Sequence, residues 1–174
     1  MDTIATDTLT RARAIRLVVF DVDGVLTDGR LYFDADGREY KAFHSRDGHG
    51  LVMLQRTGVQ VAIVTGRHCE AVRARMAGLG IAHVHQGCQA KAPVYAQLKR
   101  QLDLPDQAIA CVGDDVVDLP ILRQVGFAIA PADAHPLVAR EAHWQTPSPG
   151  GRGAAREVCD LIMEAQGTLA AACG

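Results

Sequence analysis

The chain lacks a massed basic surface, a long apolar run and any C-x-x-C cysteine pair, and each absence removes a class of function. Its 18 Lys and Arg are scattered among 20 Asp and Glu, for a formal net charge of -2. That distribution offers no electrostatic footprint for nucleic acid or an anionic membrane, so neither is expected as a partner. An anionic substrate must then be caught by local groups. No apolar stretch is long enough to cross a bilayer, and residues 1–14 lack the apolar core of a secretory signal, so a cytoplasmic protein is expected. The five cysteines, at 69, 88, 111, 159 and 173, are an odd number and fit buried thiols in a reduced compartment better than disulfides. No His or Cys pair has zinc spacing.

What is present is an apolar fraction of 48% in 174 residues, enough for one core and too little for two comfortable ones. A single domain over 1–174 is expected. Short runs of Val, Ile and Ala alternate with helix-period stretches, the pattern of a doubly wound, mostly parallel α/β sheet covered on both faces. Strands are expected at 17–20, 59–64, 82–85, 109–112, 127–130 and 143–146. Val72, Met76 and Leu79 share one helix face, as do Val94, Leu98 and Leu102, while Val158, Leu161, Ile162 and Ala165 mark a closing helix. Gly80 fits a helix stop. Residues 31–43 break the alternation, with β-favouring residues on both sides of Asp36-Gly37, and read as an inserted β-hairpin. The Pro-Gly-rich segment 147–153 reads as a connector.

Ligands of such sheets bind beyond the carboxyl ends of the strands, and polar residues of complementary type gather there. Asp21-Val22-Asp23-Gly24 follows the first expected strand, Thr65-Gly66-Arg67 the second and Gly113-Asp114-Asp115 the fourth, while Lys91 opens the helix after the third. A carboxylate can attack phosphorus to give an acyl phosphate, and Asp21 is placed to do so. The approach of two anions calls for a hard cation, expected to be magnesium, with Asp21 and Asp114 as carboxylate donors. A sugar alkoxide leaves poorly without a proton, which Asp23 is placed to give and later to take from water. Thr65 offers its hydroxyl, and the backbone that follows at Gly66 offers N–H groups, to the phosphoryl oxygens. The Lys91 ammonium can hold Asp21 and the phosphate together. Asp115 and Asp118 can cap a helix starting near Val116.

These residues resemble the haloacid dehalogenase-like phosphohydrolases: Asp21-Val-Asp-Gly-Val-Leu-Thr-Asp-Gly29, Thr65, Lys91 and Gly113-Asp-Asp-x-x-Asp118 occur in the family's order. Lys41-Ala-Phe-His-x-Arg-Asp-Gly48, Ile63-Val-Thr-Gly-Arg67 and Gly150-Gly-Arg-Gly-Ala-x-Arg-Glu157 are similar to the branch that dephosphorylates 3-deoxy-D-manno-octulosonate 8-phosphate, a lipopolysaccharide precursor. The resemblance implies a metal held by the Asp21 and Asp114 side chains and the Asp23 backbone carbonyl, with Asp115 and Asp118 in support. It implies no separate cap domain and a homotetramer in which hairpins pack together and the tail near Arg152 reaches towards a neighbouring site. Arg67 and Arg75 would take the substrate carboxylate, for which a guanidinium suits better than an ammonium, with His44, Arg46 and Gly48 lining the sugar site. Val52 stands where some relatives carry a further basic residue.

Other readings share parts of this pattern. Nonulosonate 9-phosphate phosphatases differ mainly in the sugar pocket. A non-catalytic assembly domain would not need the full acidic set, and a haloalkanoate dehalogenase would give Asp23 no leaving group to protonate. Receiver domains also combine a phosphorylated Asp, an acidic pair, a Thr and a Lys, but place the acidic pair before the phosphorylated Asp, the reverse of the order here. Free phosphate is therefore expected to accumulate over many turnovers with a sugar phosphate and magnesium; phosphorylation stopping near one per chain would favour the receiver.

Overall fold

Residues 5–173 are described by the computed structural model. In chain order the elements are α1 (Thr6–Ala14), β1 (Leu17–Phe20), β2 (Tyr32–Phe33), β3 (Glu39–Tyr40), α2 (Ser45–Arg56), β4 (Gln60–Val64), α3 (Glu70–Gly78) and β5 (His83–His85). There follow α4 (Lys91–Gln101), a 3-10 turn at 106–108, β6 (Ile109–Val112), a 3-10 turn at 116–118, α5 (Leu119–Leu122), β7 (Phe127–Ala130), α6 (Pro136–Glu141), β8 (Trp144–Gln145), α7 (Ala154–Ala165) and α8 (Leu169–Cys173).

The six-stranded sheet runs β5-β4-β1-β6-β7-β8, and every pairing in it is parallel. Its central strands are apolar at every position but Gln60, at the start of β4, because both faces are covered. Val18, Phe20, Val61, Ile63, Val112 and Ile129 face one way, into a core closed by α1, α2, α3 and α7. Leu17, Val19, Ala62, Val64, Cys111 and Ala128 face the other, onto α4, α5 and α6. The edge strands β5 and β8 are shorter than the apolar runs suggest, since each has a ladder partner on one side only.

The chain leaves β1 and returns to the sheet through β4 on one side and β6 on the other. This reversal of strand order opens a crevice above the carboxyl end of β1, where Asp21 follows Phe20. Between β1 and β4 stand only the hairpin β2–β3 and α2. The hairpin pairs Tyr32 with Tyr40 and Phe33 with Glu39 as a separate two-stranded sheet. Its turn is held by Asp34, whose Oδ1 accepts from the N–H groups of Asp36 at 3.0 Å and Arg38 at 2.8 Å.

At the end of α3, Gly80 enters the left-handed region at φ +68°, and the Ile81 N–H closes back on the Met76 carbonyl at 3.1 Å. The segment 147–153, read from composition as a connector, is instead fastened on all sides. Ser148 N donates to Glu157 Oε2 at 3.0 Å, Gly150 N to Asp133 Oδ1 at 2.9 Å and Gly151 N to the Val25 carbonyl at 2.9 Å. Any side chain at Gly150 would collide with the Gly24 carbonyl, so glycine there lets the segment lie directly on the loop after β1.

Asp47 completes this fastening. Buried in the first turn of α2, it accepts from Gly153 N at 3.2 Å and Arg156 N at 2.9 Å, and so caps α7 from another helix. Asp47→Ala would leave two buried donors unpaired. It is expected to lower unfolding stability by about 1–3 kcal/mol, measured as a lower urea midpoint at unchanged m-value; an unchanged midpoint would show that water replaces the carboxylate without loss.

Candidate active site

Asp21 is the first residue beyond β1, and its N–H still bonds the Val112 carbonyl of β6 at 3.0 Å, so its backbone is as fixed as the strand. The loop after it is tied back on itself: the N–H groups of Leu26 and Thr27 bond the Val22 carbonyl at 2.9 and 3.0 Å. Gly24 lies against the Asp114 carboxylate, which brings the ends of β1 and β6 together. Thr65, buried after β4, is anchored by the His85 carbonyl at 3.0 Å and by Cys88 N–H at 3.0 Å.

These strand ends surround a cavity of about 400 Å³ lined by Asp21, Asp23, Thr65, Gly66, Arg67, Lys91 and Asp114. Asp115, Cys88, Gln89 and, at the hairpin side, Gly29 and Leu31 also contribute. Sequence reading named the first seven as site residues and Asp115 as a supporting one; the others are brought in by the loops.

Lys91, at the first turn of α4, sits almost wholly out of solvent between two carboxylates. Its Nζ lies 2.6 Å from Asp118 Oδ1 and 2.9 Å from Asp21 Oδ1. The Asp118 contact is an aligned hydrogen bond; the Asp21 contact is an ion pair off that line, which leaves Asp21 Oδ1 with no aligned donor. Burial opposes the charged ammonium, but the two carboxylates outweigh it and hold Lys91 well above its ordinary pKa. Asp118 also accepts at Oδ2 from the N–H groups of Asp114 at 3.1 Å and Asp115 at 3.3 Å. Asp115 caps the turn at 116–118 through Val116 N at 2.7 Å.

Negative charge exceeds positive here. Carboxylate oxygens of Asp21, Asp114 and Asp118 lie within 4.8 Å of one another. Burial, then the neighbouring Asp118, pushes Asp21 up to about 6 despite Lys91. Burial, then Asp21 and Asp118, pushes Asp114 up to about 8. Asp114 Oδ1 is buried without a partner. An orphaned carboxylate oxygen beside a second carboxylate is a donor set for a hard divalent cation, and the residues fit one.

One network was not foreseen from sequence. Lys41, just after β3 and with a side chain 1% exposed, pairs with Asp23 Oδ1 and, at 2.8 Å, with Glu39 Oε1. Glu39 in turn receives Arg67, Nε at 3.3 Å and Nη2 at 3.1 Å. Burial works against the Lys41 ammonium, yet its hydrogen bonds to Asp23 and Glu39 raise its pKa above the ordinary value. The available signal was the i, i+2 spacing of Glu39 and Lys41, which sends both to one side of an extended segment.

The remaining residues named from sequence do not line this cavity. His44, Arg46 and Arg152 border a separate recess of about 490 Å³ beside Asp28 and Gly151. Gly48 and Arg75 meet in a narrow crevice between α2 and α3, with the guanidinium against Gly48. Within one chain they are therefore apart from Asp21.

A haloacid dehalogenase-like hydrolase family model matches residues 84–158. The chain is 46% identical over 171 residues to a 3-deoxy-D-manno-octulosonate 8-phosphate phosphatase of Yersinia pestis, spanning 98% of this chain and 91% of the relative. The crystal structure of the Yersinia pestis phosphatase superposes with a TM-score of 0.95 at 45% identity, over 98% of this chain and 94% of that one. The enzyme of that name from Moraxella catarrhalis, solved with magnesium, phosphate and the sugar acid KDO, superposes with a TM-score of 0.93 at 37% identity, over 95% of each chain.

Because the folded state keeps Asp114 protonated where the unfolded chain has released that proton, the Asp114 contribution favours folding below its ordinary value of 3.8 and is lost as pH rises through about 8. In chelator, Asp114→Asn should therefore gain on the wild type in Tm as pH is raised from about 5 to about 8. Magnesium a hundredfold above its Kd should stabilise the wild type by about 2.7 kcal/mol and leave Asp114→Asn nearly unmoved. A Tm difference that shrinks with pH, or equal magnesium shifts in both proteins, would remove Asp114 from the cation site.

Proposed function

The chain belongs to the haloacid dehalogenase-like hydrolases, and on that premise we propose that it is a magnesium-dependent phosphatase that hydrolyses 3-deoxy-D-manno-octulosonate 8-phosphate to the free sugar acid and phosphate. The observation that carries this reading is the convergence of Asp21, Asp23, Thr65, Lys91 and Asp114 on one cavity at the strand ends. The reaction serves lipopolysaccharide precursor synthesis, in the cytoplasm. Support for that compartment comes from five unpaired thiols and from the lack, among the described residues, of a helix long and apolar enough to cross a membrane.

In this reading an Asp21 carboxylate oxygen attacks phosphorus and the bond from phosphorus to the sugar oxygen breaks. Asp23 gives its proton to the departing alkoxide, leaving an aspartyl phosphate on Asp21 and the free sugar acid. Asp23, now ionised, takes a proton from water as the water oxygen attacks phosphorus, and Asp21 leaves as a carboxylate with inorganic phosphate released. Lys91 and the Thr65–Gly66 segment hold the phosphoryl oxygens throughout. The Asp21 and Asp114 side chains and the Asp23 backbone carbonyl would hold magnesium, which supplies positive charge between the attacking carboxylate and the phosphate. Asp118 is committed to Lys91 and two backbone N–H groups, and so anchors the site rather than binding metal.

The whole chain acts as one domain without a cap, and a homotetramer completes the sugar site. Leu31, Tyr32, Phe33 and Tyr40 expose apolar surface on the hairpin, as expected of a face that meets other subunits. Arg152, exposed and 3.9 Å from Asp28, would turn from that carboxylate to a neighbour's site, and His44, Arg46 and Arg75, its guanidinium seated against buried Gly48, would form the wall that one subunit offers the cavity of the next. Arg67, at the cavity itself, would take the substrate carboxylate in exchange for Glu39.

Asp21→Asn is expected to lower kcat more than about 10³-fold with the fold intact by circular dichroism; near-wild-type turnover would end the covalent route. Asp23→Asn should slow single-turnover release of the sugar acid about 10²-fold or more and release of p-nitrophenolate far less, since that leaving group needs no proton, while hydrolysis of the aspartyl phosphate, where Asp23 acts as base, slows for both. Equal losses in the two release rates would count against the acid role. Across a magnesium phosphate-release screen, the eight-carbon acid should have the highest kcat/KM, and a nine-carbon acid ranking first would make this a nonulosonate 9-phosphate phosphatase.

A further inference from the structure

The side chain of Asp23 is held in a way that the reaction itself does not require. One carboxylate oxygen, Oδ1, is taken by the buried Lys41 ammonium, and the other, Oδ2, is buried without any partner. A carboxylate rotates easily about its last torsion, which is broad and roughly two-fold, so an untethered Asp23 would offer either oxygen in a range of directions. Proton transfer instead needs one oxygen within hydrogen-bond reach of the leaving atom.

The tether is itself held. Lys41 Nζ lies 2.8 Å from Glu39 Oε1, and Glu39 is gripped by Arg67 through two contacts, at 3.3 and 3.1 Å. Arg67 lines the same cavity as Asp23. The row Arg67–Glu39–Lys41–Asp23 thus alternates in sign from the cavity wall, through the hairpin, and back to the cavity. Burying an ammonium is costly unless it is well paired, and both carboxylates that pair this one are supplied at the site. Lys41 lies outside the strand ladder, at the point where the hairpin chain turns towards α2.

We propose that Lys41 is a positioning residue for the acid–base step: by binding Oδ1 it aims Asp23 Oδ2 at the leaving oxygen, and Glu39 holds Lys41 in that place. The proposal rests on the phosphatase reading above. The competing account is that Lys41 only anchors the hairpin to the body of the protein, which would affect every substrate alike.

Leaving-group chemistry separates the two. In Lys41→Met with magnesium, the single-turnover rate of leaving-group release at saturation should fall at least about tenfold on the sugar phosphate and stay within about twofold of wild type on p-nitrophenyl phosphate, because in that step only the alkyl ester needs the aimed proton; the later hydrolysis of the aspartyl phosphate, common to both substrates, lies outside this readout. In an Asp23→Asn background the same change should add almost nothing on the sugar phosphate, since there is no acid left to aim. Glu39→Gln keeps the Lys41–Asp23 contact and should move the sugar-to-aryl ratio of these saturated single-turnover rates in the same direction by a smaller factor, while any change in carboxylate binding by Arg67 appears in the half-saturation concentration instead. That variant decides the matter if Lys41→Met fails to fold by circular dichroism. Equal losses on the two substrates in a folded Lys41→Met, full additivity with Asp23→Asn, or an unchanged ratio in Glu39→Gln would overturn the proposal. Should Asp23→Asn discriminate between substrates while folded Lys41→Met does not, Lys41 alone is wrong; should Asp23→Asn itself fail to discriminate, the acid assignment falls and the positioning role with it.

Discussion

A single buried ammonium, Lys91, stands between Asp21 and Asp118 and makes the rest of the site possible. Carboxylates on the ends of adjacent parallel strands repel one another, and burial strengthens that repulsion. Lys91 reaches in from the first turn of α4 and offsets part of it, and Asp118 returns the favour by bonding the backbone that carries Asp114. What Lys91 cannot neutralise remains visible in the raised values of Asp21 and Asp114, and that residue of negative charge is what suits the cavity to a hard cation. The cluster is thus incomplete by construction, and a divalent ion is the natural complement.

Around this centre two segments do work that their composition conceals. The hairpin β2–β3 adds no strand to the main sheet, yet it delivers Glu39 and Lys41 to the edge of the cavity, where they meet Arg67 and Asp23. The segment 147–153, with its several glycines, lies on the loop that follows β1 and is capped to α2 through Asp47. Both are inserted or terminal pieces whose local sequences look like surface loops. Their close contact with the loop after β1 links its geometry to parts of the chain far away in sequence.

The central strands were legible because their signal is local: β1, β4, β6 and β7 are apolar at nearly every position, and only a sheet buried on both faces calls for that. The groups at their ends were legible for the same reason, since a strand followed by Asp-x-Asp, Thr-Gly or Gly-Asp-Asp announces both the place and the donors. Capping by Asp115 follows from spacing and a supporting Asp118 from the resemblance: Asp115 caps the turn at 116–118, and Asp118 bonds Lys91 and the N–H groups of Asp114 and Asp115. Lys41 was named only as part of a motif, and its pairing was not foreseen because a lysine in a hairpin is ordinarily solvated and no sequence rule states that it will be 1% exposed. The capping role of Asp47 was not foreseen because its partners, Gly153 and Arg156, lie more than a hundred residues away.

The sequence by itself determined the alternation of strands and helices, the residues at the strand ends and the family, because each depends on periodicity or short spacing within one stretch of chain. Only the tertiary structure decided which charges pair. It seated Lys91 between two carboxylates, turned the hairpin lysine inward and parted His44, Arg46, Gly48, Arg75 and Arg152 from the cavity that holds Asp21. The reason is physical: burial and pairing are properties of positions in space, and a charge a few ångströms away can come from any distance along the chain.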